Sequence, residues 1–270
     1  MEIGFKRLGL IAGNGNLPVI LASEANSKGV TIISIAFTQE SAESLRPFSE
    51  MVYQYSIGEA GKILKSLKKE GIQDVLMVGK IEKGLLFKNL KFDLTAIKIL
   101  SRLKNRNDDT IMIGVIHELE REGMRVVDQR LFLKSLFPSK GVLTKNTPDE
   151  REKRDIEFGF RVAKEIAALD VGQTVVVKDQ AILSVEAIEG TDEAIRRGCS
   201  LCRSGAVIVK VAKPNQDPRF DIPTIGITTI ETIREGKGSA LALEAEKTIV
   251  INKDKVVKIA EDYGISITAV

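Results

Sequence analysis

The stretch KVAKPNQDPRFDIPTIG, Lys210 to Gly226, crowds Lys213, Gln216, Asp217, Arg219 and Asp221 between Pro214 and Pro223. Such residues suit the cleavage of a phosphoric anhydride by water. That reaction needs neutralised phosphoryl charge, a positioned water and in-line geometry more than a covalent nucleophile. Mg2+ takes one or two carboxylates and fills its shell with water and substrate phosphate oxygens. Two prolines would hold the loop stiffly. Spacing alone does not rank Asp217 against Asp221.

Other segments carry related chemistry. In VEAIEGTDEAIRRG, residues Glu186, Glu189, Thr191 and Asp192 meet where a strand turns into a helix. Thr191 or Asp192 would cap that helix, or the oxygens would take Mg2+ or a sugar hydroxyl. In IAGNGNLP, Gly13, Asn14 and Gly15 form a glycine turn whose N–H groups could meet a phosphate at a helix N-terminus. The third glycine of a dinucleotide fingerprint is replaced by Pro18, and the Lys-Ser/Thr of a P-loop is absent. Phosphate cradle and plain tight turn both stay open, while a nicotinamide enzyme is disfavoured. SIGEAGK offers a second glycine turn, with Glu59 explained by the helix dipole alone. Gly79 and Lys80 follow a strand, where ligands of open α/β sheets bind. Cys199 and Cys202 lack a second pair for zinc. His117 reads as a packed helix residue, which leaves little room for histidine-based catalysis.

The elements that must position these groups alternate in type. Short β-branched runs (RLGLIAG, TIISIAF, VYQYSIG, DVLMVGK) are separated by amphipathic helical segments, which predicts a parallel sheet flanked by helices. Helices are expected over 94–104 and 109–122, and MRVVDQ as a strand. The polar, proline-containing stretch 137–155 predicts a domain boundary, giving 1–145 and 146–270. Beyond it a helix over 149–168 leads to QTVVVKD, AILSVEA, helix 192–203, AVIVKVA, helix 229–235, KTIVIN, helix 253–263 and ISITAV. The fold class expected is α/β in two domains, a Rossmann-like parallel sheet followed by a C-terminal α/β domain that carries catalysis.

With 270 residues, 43% hydrophobic and 29% charged, the chain can build real cores. A net charge of +3 does not argue for nucleic acid. No apolar run is long enough to span a bilayer, and the first residues do not read as a signal peptide, so a cytoplasmic protein is expected. Residues 80–106 hold eight Lys or Arg against Glu82 and Asp93, a local charge of +6, interleaved with leucine and phenylalanine. That makeup suits an anionic membrane surface, or equally a solvated basic face.

LGLIAGNGNLP, IGEAGK, NDDT, LDVGQTVVV, VEAIEGTDEAIRR and KPNQDPRFDIPTIG together resemble the LpxI-type UDP-2,3-diacylglucosamine pyrophosphatases of lipid A biosynthesis. The resemblance implies a cytoplasmic, peripherally membrane-associated homodimer, with its ligand between two domains. It implies cleavage of the nucleotide-sugar lipid to UMP and 2,3-diacylglucosamine 1-phosphate with Mg2+ or another divalent cation, water attacking the β-phosphorus. The family's essential aspartate falls at Asp221, which ranks it as the catalytic and metal residue, with Asp217 as a second metal candidate. Thr191, Asp192, Lys213, Gln216 and Thr224 carry over as substrate-lining positions, joined by Gly13, Asn14, Gly15, Gly79 and Lys80. A non-catalytic nucleotide-sugar or lipid-binding regulator on the same scaffold is the alternative.

Overall fold

The computed structural model describes residues 4–80, 92–104 and 108–270. The chain forms two units: Met1–Leu133 with Pro218–Asp221, and Lys134–Asp217 with Ile222–Val270. The sequence alone suggested a break near residue 145; the units part at Leu133 and Lys134, and the first takes four residues of the polar loop.

In the first unit, strands β1 (Arg7–Ala12), β2 (Thr31–Ala36), β3 (Met51–Gln54), β4 (Asp74–Val78) and β5 (Arg125–Val126) make one sheet in the order β3-β2-β1-β4-β5. Every pairing is parallel. This is the doubly wound arrangement expected from the strand–helix alternation, with its topological switch between β1 and β4. The helices are α1 (Leu17–Ser27), α2 (Gln39–Leu45), α3 (Ala60–Lys69), α4 (Leu94–Ser101), α5 (Asp108–Arg121) and the short α6 (Arg130–Leu133). Their starts follow local chemistry. Pro18 opens α1, where its missing N–H costs nothing. The Thr38 hydroxyl caps α2 and the Asp93 carboxylate caps α4. Ile63 and Leu67 of α3 pack with Ile33, Ile35, Val75 and Met77 under the sheet.

The second unit contains β6 (Gly141–Val142), α7 (Glu150–Ala168), β7 (Thr174–Lys178), β8 (Ala181–Val185), α8 (Thr191–Ser200), β9 (Val207–Lys210), β10 (Thr224–Ile225), α9 (Ile227–Glu235), β11 (Ala240–Leu243), β12 (Ile249–Val250), α10 (Lys253–Asp262) and β13 (Ser266–Ala269). Its main sheet runs β6-β13-β11-β9-β7-β8, parallel through β13, β11 and β9 and antiparallel at both sides; β10 and β12 pair separately. Alternate residues of β7, β9 and β11 feed two cores. Val175, Val177, Val207 and Val209 pack under α7, while Val176, Ile208, Leu241 and Ile267 pack under α8, α9 and α10. Strands buried on both faces read as unbroken apolar runs, as these do.

Helix α7 also fixes the β7–β8 hairpin. Asp149 and Glu152 close a capping box at its start. One turn on, the buried Asp155 carboxylate accepts from the N–H groups of Asp179 and Gln180, at 3.1 and 2.7 Å, and pairs with Arg151 at 3.2 Å. Both turn residues hold positive φ, 50° and 57°, as a two-residue hairpin turn demands.

Candidate functional site

A buried polar cluster of the second unit forms at the carboxyl ends of β8 and β9. Lys210, the last residue of β9, is buried and donates to the hydroxyl oxygens of Thr191 at 2.7 Å and Thr174 at 3.3 Å. Its ammonium lies 3.7 Å from the Glu186 carboxylate, which accepts the Thr191 hydroxyl proton at 2.8 Å. Two of the lysine's donors are thus spent on hydroxyls while its charge faces the carboxylate, and the Thr191 hydroxyl has a fixed direction. Glu186 can occupy this place because Gly172 has no side chain: a Cβ there would sit 2.0 Å from the Glu186 carbonyl oxygen.

Thr191 begins α8 behind Gly190, whose φ is 86° and which supplies no side-chain cap. Helix α9 likewise begins behind Gly226 with no side-chain cap. A hydrogen bond of 3.2 Å from the Thr229 hydroxyl to Asp192 joins the two helix starts. Glu189 pairs with the last turn of α8, at Arg197. Its own backbone N–H and then the Arg197 guanidinium, 2.6 Å away, hold its carboxyl below the usual range. Thr224 donates to the carbonyl of Ile222 at 2.9 Å.

After β9 the chain turns at Lys213–Gln216. The Gln216 side-chain oxygen accepts the Lys213 N–H at 2.8 Å, and the Lys213 carbonyl accepts the Gln216 N–H at 3.2 Å. Lys213 also pairs with Asp170 at 2.6 Å. Beside this turn, Glu244 follows β11 and binds Lys164 at 3.0 Å, Lys247 at 2.8 Å and the N–H of Ala212 at 2.9 Å. Burial would push the Glu244 carboxyl up, but these hydrogen bonds outweigh it and hold the group below its ordinary value.

Asp217 lies in the second unit, whereas Pro218–Asp221 groups with the first. There the Pro218 carbonyl accepts from the Gln129 N–H at 3.2 Å, Arg219 lies 3.5 Å from Glu120 of α5, and Phe220 packs on the apolar core under the sheet. These contacts anchor the residues just before Asp221, which is itself half-buried.

The glycine turns of the first unit are already engaged. The N–H groups of Gly13 and Asn14 donate to the carbonyls of Val78 and Lys80, both at 2.8 Å, and the Lys80 N–H returns to Asn14 at 2.9 Å. A Cβ on Gly13 would sit 2.7 Å from the Gly79 carbonyl carbon, and one on Gly79 would sit 2.9 Å from the backbone of Gly13. Gly13, Asn14, Gly79 and Lys80 are thereby brought together, and Gly15 follows with φ 100°. In SIGEAGK, the Asp93 carboxylate accepts the Gly61 N–H at 2.8 Å, at the helix start where an anion would bind. His117 is exposed on α5, correcting its reading as a packed residue. Cys199 is buried in α8, and burial followed by the field of Cys202 pushes its thiol up to about 11, which makes it inert. Among the described residues no group of three or more His, Cys, Asp or Glu side chains could hold a metal ion.

Family models for two domains tile the chain: LpxI N-terminal domain over residues 7–136 and LpxI C-terminal domain over 139–268. The chain belongs to the LpxI family. A relative from Caulobacter vibrioides, UDP-2,3-diacylglucosamine pyrophosphatase LpxI, is 33% identical over 276 residues, covering 98% of each chain. Solved structures resemble this LpxI chain only distantly. N5-carboxyaminoimidazole ribonucleotide synthetase in its ADP complex aligns at 17% identity and a TM-score of 0.29, over 64% of this chain and 32% of that one. The Bordetella bronchiseptica enzyme WbmG with NAD and UDP aligns at 18% and 0.30, over 43% and 34%. The chain thus spans about a third of the length of these structures.

Lys210 is the residue that sequence patterning missed. Its signal was a cation lodged in the otherwise apolar run AVIVKVA, where an unpaired charge would be costly.

Proposed function

We propose that the chain hydrolyses UDP-2,3-diacylglucosamine to UMP and 2,3-diacylglucosamine 1-phosphate in lipid A biosynthesis. The observation that carries this is the 33% identity to a pyrophosphatase of that name along 98% of both chains. Water attacks the β-phosphorus, the bond to the bridging oxygen breaks, and that oxygen leaves with UMP. Asp221 would hold a divalent ion or orient the water, and Asp217 is the candidate second ligand. One or two carboxylates are the protein donor set that Mg2+ takes, and the ion would neutralise the charge of the phosphoryl group.

Thr191, Asp192, Lys213, Gln216 and Thr224 are the substrate-lining positions, with Gly13, Asn14, Gly15, Gly79 and Lys80 as further substrate-binding candidates. The protein works in the cytoplasm as a homodimer in peripheral contact with the membrane that holds its lipid substrate. Lys83, Lys88 and Lys91 of the basic segment lie outside the described residues. No helix among the described residues is long and apolar enough to cross a bilayer.

The test is UMP release from the diacylated nucleotide sugar with Mg2+ in 18O-water. Label in the sugar phosphate and none in UMP is expected, with turnover falling at least about a hundredfold in Asp221→Ala. Near-native turnover of that variant would remove Asp221 from the chemistry. Tight substrate binding without turnover under any divalent ion would make the chain a binding protein.

A further inference from the structure

The charged pair beneath the start of α8 dictates what the Thr191 hydroxyl can still do. The Lys210 ammonium can only donate, and it donates to the Thr191 oxygen at 2.7 Å. The Glu186 carboxylate can only accept, and it takes the Thr191 proton at 2.8 Å. A threonine hydroxyl has one proton and two lone pairs. The proton and one lone pair are committed, so one lone pair remains. Thr191 is half-buried, at the first position of its helix, so that lone pair is not sealed in the core.

The pair also resists reversal of the hydroxyl. Lys210 is 5% exposed and is tethered to Thr174 at 3.3 Å. The Glu186 side chain is 13% exposed and receives the Gln173 N–H at 3.4 Å. Turning the Thr191 proton outward would cost this shielded carboxylate a hydrogen bond, which is expensive away from water. A ligand group that meets Thr191 must therefore bring its own proton. The free oxygens of a pyrophosphate only accept, whereas ribose and glucosamine hydroxyls donate. The Lys210 ammonium, on the same oxygen, also repels a divalent cation.

We infer that Lys210 and Glu186 are positioning residues that preset Thr191 as the acceptor for a ring hydroxyl of the nucleotide sugar, on the ribose or on the glucosamine. Thr191 then reads a sugar and does not touch the pyrophosphate. The inference rests on the substrate of the proposed function and says which part of it this edge recognises.

The experiment measures kcat and KM with Mg2+ and equilibrium binding in EDTA. The probes are UDP-2,3-diacylglucosamine and analogues that each lack one hydroxyl of the ribose or of the glucosamine ring. Thr191→Val should raise KM and the dissociation constant about fivefold with kcat little changed, and Thr191→Ser should restore most of the loss. One analogue should bind wild type as weakly as the parent binds Thr191→Val, and lose nothing more in that variant. Which analogue it is identifies the sugar. Lys210→Met/Glu186→Gln strands no charge, so it separates orientation from stability. It should fold, yet keep KM as high as Thr191→Val does, and adding Thr191→Val should change nothing further. Glu186→Gln alone, whose amide both donates and accepts, should release the Thr191 proton and raise KM in the same way. A native KM in both Glu186 variants overturns the positioning role. A fall in kcat at native KM in Thr191→Val also overturns the proposal, because the hydroxyl would then act on the phosphoryl group. So does an analogue series in which every member still loses affinity in Thr191→Val. Binding that follows the expected pattern without UMP release would refute the hydrolase and leave this assignment standing. UMP release with native constants in every variant would do the reverse.

Discussion

The two units furnish the carboxyl edges of their sheets in opposite ways. At the β1/β4 switch of the first unit, backbone meets backbone: Gly13, Asn14 and Lys80 exchange N–H and carbonyl groups across a gap that only glycine permits. At the edge of β8 and β9 in the second unit, side chains converge, and Lys210, Glu186, Thr174 and Thr191 satisfy one another. A glycine turn at a switch point is therefore not by itself a phosphate cradle. Its glycines are explained by the close approach of two loops. The second edge is costlier to build, because buried charges must be paired. Its network aligns the Thr191 hydroxyl at the head of a helix that no side chain caps.

The largest effect that tests this contrast falls on Lys210. In Lys210→Met the Glu186 carboxylate keeps its place but loses the cation, at a cost of about 3–5 kcal/mol by chemical denaturation. The double variant Lys210→Met/Glu186→Gln should recover most of that loss, since neither charge is then stranded. If Lys210→Met is as stable as wild type, the cluster is not a coupled unit and the contrast between the edges fails.

A smaller effect is expected at the first edge. Gly13→Ala forces a Cβ to within 2.7 Å of the Gly79 and Lys80 backbone, and overpacking of this kind costs about 1–3 kcal/mol. Gly15→Ala has open space but a φ of 100°, so its cost comes from backbone strain alone. Gly13→Ala should destabilise the chain through packing. Wild-type stability in that variant would mean the two loops part easily.

Much of this architecture was legible in the sequence, for reasons that also explain the gaps. RLGLIAG, TIISIAF and DVLMVGK read as strands because they are unbroken apolar runs between glycine turns, and β1, β2 and β4 form there. The strand at the heart of the second sheet, β11, was missed. Its residues Ala-Leu-Ala-Leu favour helices over strands, and burial on both faces overrides that preference. The helix expected over 192–203 ends at Ser200, which puts Cys202 just beyond it. The site was legible only in part. TD and KPNQ stood out as polar residues at turns, but the roles of Lys210 and Asp155 depend on partners far along the chain. Lys210 meets Thr174 across 36 residues of sequence, and Asp155 meets Gln180 across 25.

The smallest effect separates buried charge that only holds the second edge together from charge that also orients a hydroxyl. Glu244 binds nothing but its own scaffold: Lys164, Lys247 and the Ala212 N–H. Its carboxyl is held below the ordinary 4.5 in the folded chain, so the unfolded chain binds the proton more readily. The stabilisation is therefore complete above about pH 4.5 and is lost as pH falls through the folded value. Glu244→Gln should flatten the fall in stability in that acid range. The change should be modest, because Lys247 is 58% exposed and water screens its share. Turnover at neutral pH should survive in Glu244→Gln, since its side chain acts on the scaffold alone. An unchanged acid slope would show that Lys164 and Lys247 do not stabilise the carboxylate. A collapse of turnover at full stability would extend the site along the edge from β9 to β11.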